Sequence, residues 1–286
     1  MAQLKAKTLP VVRPQARGVL KSILFKHQQK WLPWLLPLTL LLVWQAMSVW
    51  HWLPEQYLRN VSSPLAVAQA GWALAVNGEL WVHLGISAAR ALTGLFIGGV
   101  TGLALGVATG LSPTVRTLLD TTLQMLRNIP NLALIPLVIL WFGIDEAAKL
   151  CLVALGTFFP IYLNTFHGIR NADAALIEMA KSYGLSGWAL FKEVILPGAL
   201  PSVLVGLRFS LGIMWLTLIV AETISATSGI GYLAMHAREF FQTDIIIFTI
   251  LVYALLGFVA DWIARQLERV LLRWHPAYVV KQGDKA

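Results

Sequence analysis

Long apolar runs alternate along the chain with short polar joints. Charged residues cut it into windows that can be measured against the roughly 20 apolar residues a helix needs to cross a bilayer. Residues 31–54 (WLPWLLPLTLLLVWQAMSVWHWLP), 91–115 and 150–169 reach that length without a charge. Three windows are weaker: 128–144 contains Pro130 and Pro136, 194–221 contains Arg208, and 245–260 is short unless Trp262 to Ala264 extend it. The pattern predicts six spanning helices. Between the first two, PLAVAQAGWALAVNGELWVHL (64–84) sets Leu65, Ala68, Trp72 and Ala75 at helical spacing, which predicts a short helix on the outside.

Within the second window Gly94, Gly98, Gly102, Gly106 and Gly110 recur every four residues and so share one helix face. Such a stripe lets another backbone approach closely, within the subunit or across a dimer; a glycine-lined pore face is the other reading. SPTVRTLLDTTLQMLRNIPN (112–131) reads as the return to the third span, GIDE (143–146) as the turn into the fourth, and SATSGIGYLAMHAREFFQTD (225–244) as a loop that folds back as a short helix.

Composition places this pattern in a membrane. Of 286 residues 57% are hydrophobic and 13% charged, against roughly a quarter charged in soluble domains. Lys and Arg are retained on the cytoplasmic side. Residues 1–30 carry seven of them and no acid, so this basic tail is expected inside, loosely held on the anionic leaflet. Six spans return the carboxyl terminus, with Arg265, Arg269, Arg273, Lys281 and Lys285, to the same side. With Arg116, Arg127, Arg170, Lys181 and Lys192 the inside total is 17, against Arg59, Lys149 and Arg238 outside. This topology absorbs most of the net charge of +8, and no nucleic acid is needed to explain it. The organisation expected is a cytoplasmic tail (1–30), one transmembrane domain (31–275) and a cytoplasmic carboxyl-terminal tail (276–286). The single Cys151 lies inside the fourth span and reads as a packed bystander.

The most informative stretch is polar on one side, apolar on the other, and lies on the inside between spans four and five. In EMAKSYGLSGWALFKEVILPGALP (178–201) and just before it, Leu176, Met179, Ala180 and Tyr183 form one apolar stripe. Gly184 stops that helix, Ser186 is placed to cap a second one bearing Leu190, Phe191, Val194 and Ile195 on one side, Pro197 ends it, and Pro201 starts span five. A rigid knob of this kind suits a groove on a soluble partner or, alternatively, the lipid surface.

Glu178 and Ala180, Gly184 four residues on, and then Val194, Leu196 and Pro197 after nine more resemble the EAA loop of the membrane subunits of ATP-binding-cassette importers; Met179 and Val194 are mild departures. NIPNLALIPLVILWFGIDEAAK (128–149), FFPIYLNTFHGIRN (158–171), LPGALPSVLVGLRFSLGIMWLTLIVAETIS (196–225) and SGIGYLAMHAREFFQTD (228–244) resemble the branch importing nitrate, taurine and alkanesulfonates, aliphatic sulfonate permeases above all. The resemblance covers about residues 31–278. It implies an all-α type I importer permease (MetI-like) fold with six transmembrane helices. A cytoplasmic coupling helix (loop 172–198) would dock on the ATPase through Glu178, Ala180, Gly184, Val194, Leu196 and Pro197. It further implies a homodimer, two cytosolic ATPase subunits that bind ATP-Mg in place of this chain, a periplasmic solute-binding protein, and a bacterial inner membrane location.

Competing signals fail. GLSG (184–187) matches the GxSG of intramembrane serine proteases, but Ser186 lies in a loop rather than at a helix start within the membrane. Gly-Lys occurs nowhere, so no GxxxxGK[ST] phosphate loop exists. A carrier working alone predicts ion-coupling acids at mid-membrane or paired broken spans, and neither is evident. Arg90, Arg208 and Glu222 are ionisable residues at membrane depth, which are costly and face the protein interior or water. Arg208 and Glu222 are too far apart on one helix to pair, whereas Arg90 can reach Glu222; a structural ion pair and contact with a passing anion are the two readings.

Overall fold

A bilayer offers no water to unpaired backbone groups, so a spanning chain pairs them within its own helices. The computed structural model describes residues 16–50 and 62–275, and every regular element among them is helical. In chain order these are α1 (Ala16–Val49), α2 (Pro64–Val76), α3 (Glu79–Leu111), α4 (Pro113–Arg127), a 3-10 turn (Asn131–Leu134), α5 (Ile135–Phe142), α6 (Glu146–Arg170), α7 (Ala174–Ser182), α8 (Gly187–Leu190), a π turn (Phe191–Ile195), α9 (Leu196–Ser225), α10 (Ile230–Glu239) and α11 (Thr243–Leu271). The chain divides after Ala66 into two units, of which the first carries α1 and the second most of the fold. Residues 51–54 of the expected first span, the basic residues before 16 and the tail 276–286 lie outside the described residues. From Ala16 onward the basic tail is not a loose segment, since α1 already begins there.

Five helices are long and apolar enough to cross a membrane, and six spans result if α4 and the 131–142 helix, bent by 86° at Asn128 to Pro130, count as one. The segment 112–131 is thus no simple return. Ser112 caps α4, its Oγ accepting from Val115 N at 3.3 Å, and Pro113 opens the first turn. Charges also misplace the expected ends of the spans: α3 starts at Glu79 rather than 91, and α6 at Glu146 rather than 150. Arg90 and Lys149, which delimit the windows in sequence, are buried inside those helices.

At the centre, α6 is gripped from two sides. The glycine stripe of α3 faces it throughout: Gly94 meets Val153, Gly98 meets Ala154 and Thr157, Gly102 meets Phe158 and Tyr162, Gly106 meets Thr165, and Gly110 meets Ile169. On its other side α6 turns Gly156, Pro160, Asn164 and Gly168 to α9, where Gly156 meets Thr217, Gly206 meets Pro160 and Asn164, and Gly168 meets Ala199 and Ser202. The stripe therefore packs within the subunit. Around this sandwich Leu80 and Ala91 of α3, Met214 and Leu218 of α9, Ile230 and Leu233 of α10, and Tyr253 and Ala260 of α11 form the main core; Ile135 and Val138 of α5 pack with Ala148 and Leu152 of α6 and Ala221 of α9 in a second.

The short helix α2 forms where expected. Val67, Gly71 and Leu74 are inside, with Gly71 against Phe248, while Leu65 and Trp72 are exposed. In a membrane the larger apolar side chains need no burial in protein, and small residues make the closer helix contact.

A Cβ built on Gly102 would stand 2.7 Å from the carbonyl oxygen of Phe158, a backbone atom that cannot step aside. Gly102→Leu is expected to lower the stability of the detergent-solubilised protein by about 1–3 kcal/mol or to prevent accumulation. Gly257→Ala, where a Cβ meets nothing within 4 Å, leaves the melting temperature unchanged. Thermal melting monitored by size-exclusion chromatography compares the two.

Candidate functional site

The loop between α6 and α9 is built around one helix end. Asp173 caps α7, its Oδ1 accepting from Ala175 N at 2.9 Å. At the far end Leu185 N donates to Ala180 O at 3.0 Å and Gly184 N to Lys181 O at 2.9 Å. These two bonds are the Schellman closure, with Gly184 at the left-handed position, φ +87°. The spacing from Ala180 to Gly184 has its cause here: Ala180, buried, supplies the carbonyl that closes the turn, and Gly184 supplies the positive φ. A Cβ at 184 would meet nothing within 4 Å, so the constraint there is torsional rather than steric.

This closure leaves Leu176, Met179 and Tyr183 in a row on one side of α7, and beyond it Trp188; relative exposures are 49%, 52%, 80% and 72%. Glu178 is exposed beside them. The second apolar face behaves differently from the sequence expectation. Leu190 and Phe191 are buried, Val194, Ile195, Leu196 and Pro197 are half-buried, and Ser186, though extended, makes no side-chain cap. These residues anchor the loop to the body of the protein rather than presenting a surface, and Trp188, which the sequence pattern did not single out, replaces them at the surface. Nor does Pro197 end a helix. One π turn, Phe191–Ile195, widens the coil just before it, and the helical run continues from Gly187 to Ile224 with Pro201 inside. Proline lacks an N–H and its ring crowds the carbonyl one turn back, a conflict that local widening relieves.

At the other end of α9 lies a buried ion network. Glu222, 1% exposed, accepts from Arg90 Nη1 at 2.8 Å, Ser87 Oγ at 2.8 Å, Gly231 N at 2.9 Å and Tyr253 OH at 3.1 Å. Arg90, 4% exposed, also donates through Nε and Nη2 to the two oxygens of Glu146, both at 2.6 Å, and through Nη1 to Ser228 O at 2.5 Å. Lys149 Nζ reaches Glu146 Oε1 at 3.1 Å, and Gly229 N donates to His83 Nδ1 at 3.0 Å. Helices α3, α6, α9, α10 and α11 are thereby tied at one point. The pairing of Arg90 with Glu222 follows from sequence; Glu146, in the turn GIDE, does not, because an acid at a span boundary reads as solvated. Arg208 stands apart: its Nε donates to Asp261 Oδ1 of α11 at 2.7 Å, and Arg265 pairs with the same carboxylate, all three being partly exposed.

Residues 94–273 match the family described as binding-protein-dependent transport system inner membrane component. The aliphatic sulfonates transport permease protein SsuC of Escherichia coli (strain K12) is 62% identical over 89% of this chain and 97% of the relative. SsuC of Bacillus subtilis (strain 168) is 43% identical over 85% of this chain and 87% of the relative, and the taurine transport system permease protein TauC of E. coli (strain K12) is 37% identical over 70% and 73%.

Removing one member of a buried ion pair strands the other, at about 3–5 kcal/mol. Arg90→Ala is therefore expected to abolish accumulation or lower the melting temperature sharply. Arg208→Ala breaks a half-exposed pair, for which about 0–1 kcal/mol is expected. Purified yield and melting curves of the two variants are the check.

Proposed function

The chain belongs to the inner membrane components of binding-protein-dependent transport systems, and from that membership we propose that it is the permease of an ATP-driven importer of aliphatic sulfonates. The loop between α6 and α9 carries this reading: a Schellman-closed knob that holds Leu176, Met179, Tyr183 and Trp188 out of the fold has no use in a carrier working alone, and it suits a groove on a cytosolic ATPase. Two copies of the chain would pair, each docking one ATPase that binds ATP-Mg, and a periplasmic binding protein would deliver the solute. ATP-driven closure of the ATPases would move the two knobs together and switch the pore between its two openings. The substrate class rests on the 62% and 43% identical relatives named for aliphatic sulfonates; taurine or nitrate would use the same machinery. The excess of Lys and Arg at both ends supports cytoplasmic termini in a bacterial inner membrane, and it survives the transfer of Arg127 from a loop to α4.

Gly184→Val is expected to uncouple the complex. A β-branched residue resists positive φ, so the Schellman turn is lost and the row from Leu176 to Tyr183 is re-aimed. At matched membrane levels the variant should recover less than a tenth of the wild-type ATPase in a pull-down, with ethanesulfonate uptake lost. Gly184→Ala falls between the two. Equal recovery in all three, with uptake intact, would make the loop a lipid-surface helix.

The purified chain is expected to hydrolyse no ATP until the ATPase subunit is added. Turnover by a preparation shown by mass spectrometry to contain this polypeptide alone would sink the importer reading.

A further inference from the structure

We propose that the turn between α10 and α11 is a docking point for the solute-binding protein, and that Phe241 is the side chain that enters it. The proposal rests on the importer reading for the existence of that partner, and on the geometry of the turn for the place.

Helix α10 ends as α7 does. Gln242 N donates to Ala237 O at 2.8 Å and Phe241 N to Arg238 O at 3.2 Å, the same Schellman closure that Leu185 and Gly184 make on Ala180 and Lys181. Ala237 is buried, as Ala180 is. The left-handed position that Gly184 fills in α7 is filled in α10 by Phe241, φ +57°, the one non-glycine residue with positive φ among the described residues. A bulky side chain is an outlier there, because its Cβ crowds the backbone where glycine has none. Within the chain the ring gains nothing in return: Phe241 is 88% exposed, more than any other large apolar residue described. A strained residue that packs on nothing of its own points to a contact outside the chain.

The turn is a fixed projection. Ile230, Leu233 and Ala237 seat α10 in the core, and Gly229 and Gly231 let it lie on Glu222. Phe240 lies against His236 at 4.8 Å, His236 against Tyr232 at 5.7 Å, and Tyr232 against His83 of α3 at 5.8 Å. From Thr243, where α11 begins, to Tyr253, whose hydroxyl bonds Glu222, is ten residues, about 15 Å along a helix. Helix α6 begins at Glu146 of the same network, and α9 ends three residues past Glu222. The tip at Phe240 and Phe241 therefore stands roughly 15 Å beyond these ends of α6 and α9, on the side away from the loop that joins their other ends.

A soluble protein fits this tip better than lipid does. Arg238, Glu239 and Gln242 are exposed around the two phenylalanines, and an apolar centre within a polar rim is the anatomy of a protein interface. Aromatic residues that anchor a helix at the lipid headgroups are tryptophan and tyrosine, which carry a polar handle. The tip has neither. The family is binding-protein-dependent, so a soluble partner has to dock on the face away from the ATPase. Tyr183, 80% exposed, stands beside the Schellman turn assigned to the ATPase. Both faces are thus built alike, each with a buried alanine closing a turn that holds an aromatic ring out of the fold.

The experiment measures binding of the transporter's solute-binding protein, loaded with ethanesulfonate, to the full-length permease with its ATPase, in phosphatidylcholine nanodiscs and in detergent. Wild type is expected to bind saturably, and Phe241→Gly at least about tenfold more weakly in both media, as for an anchor residue. Phe241→Leu, which keeps an apolar side chain, stays within about threefold of wild type, as does Trp72→Ala, an exposed aromatic of α2 near the same end. Phe241→Gly should melt no lower than wild type, since glycine takes positive φ without a clash. Equal binding by Phe241→Gly overturns the proposal, as does an equal loss in Trp72→Ala. A lower melting temperature of Phe241→Gly makes the ring a packing residue, a loss confined to nanodiscs makes it a lipid anchor, and fewer permease copies by native mass spectrometry make it a contact between copies; each overturns it. Wild type that does not bind removes the importer reading and the docking point with it, whereas binding by wild type with unchanged binding by Phe241→Gly removes the docking point alone.

Discussion

The whole arrangement depends on backbone-to-backbone approach along α6. In lipid, apolar area gives helices little reason to associate, and close packing of small residues supplies what the hydrophobic effect does not. Here α6 meets α3 through the stripe from Gly94 to Gly110 and meets α9 through Gly156, Gly168 and Gly206. Three helices are thus held at distances that a single added methyl group would change. The loop between α6 and α9 and the ion network hang from the two ends of this sandwich, and neither keeps its geometry if α6 shifts between its neighbours.

The ion network completes what small-residue packing begins. Glycine stripes fix how near two helices lie but allow them to slide, since one four-residue step resembles the next. Arg90, bonded to Glu222 and Glu146 at once, removes that freedom by specifying one register among α3, α6 and α9. Buried charge of this kind is poor evidence for stability and better attested as a device for specificity. Gly229 and Gly231 belong to the same device: each stands where a side chain would collide with Glu222, so the chain can fold back over the carboxylate as α10.

What could be read in the sequence divides along physical lines. Local geometry was legible: Ala180 and Gly184 are four apart because a Schellman turn needs them there, and the glycines of α3 announce a contact face. Span boundaries were less so, because the measure rests on charge marking the water boundary, and Arg90 and Lys149 are charges paired inside. Burial was misjudged in the loop between α6 and α9, where an apolar stripe reads the same whether it faces the body of the protein or a partner: Leu190 and Phe191 are buried while Tyr183 and Trp188 are exposed. The bend of 86° between α4 and the 131–142 helix was not legible at all, since SPTVRTLLDTTLQMLRNIPN reads as a return to the third span.

Because Pro197 is passed by a π turn instead of a break, the Trp188 end of the knob and α9 are one piece. From Gly187 to Ile224 the run covers 38 residues, on the order of 57 Å at about 1.5 Å per residue. Trp188 stands at one end of it and Glu222 at the other. A displacement of Trp188 along this run would be carried by continuous helix to the end that holds Glu222. Midway, α6 holds the run at close range, where Gly206 lies against Pro160 O and Gly168 against Ala199 O.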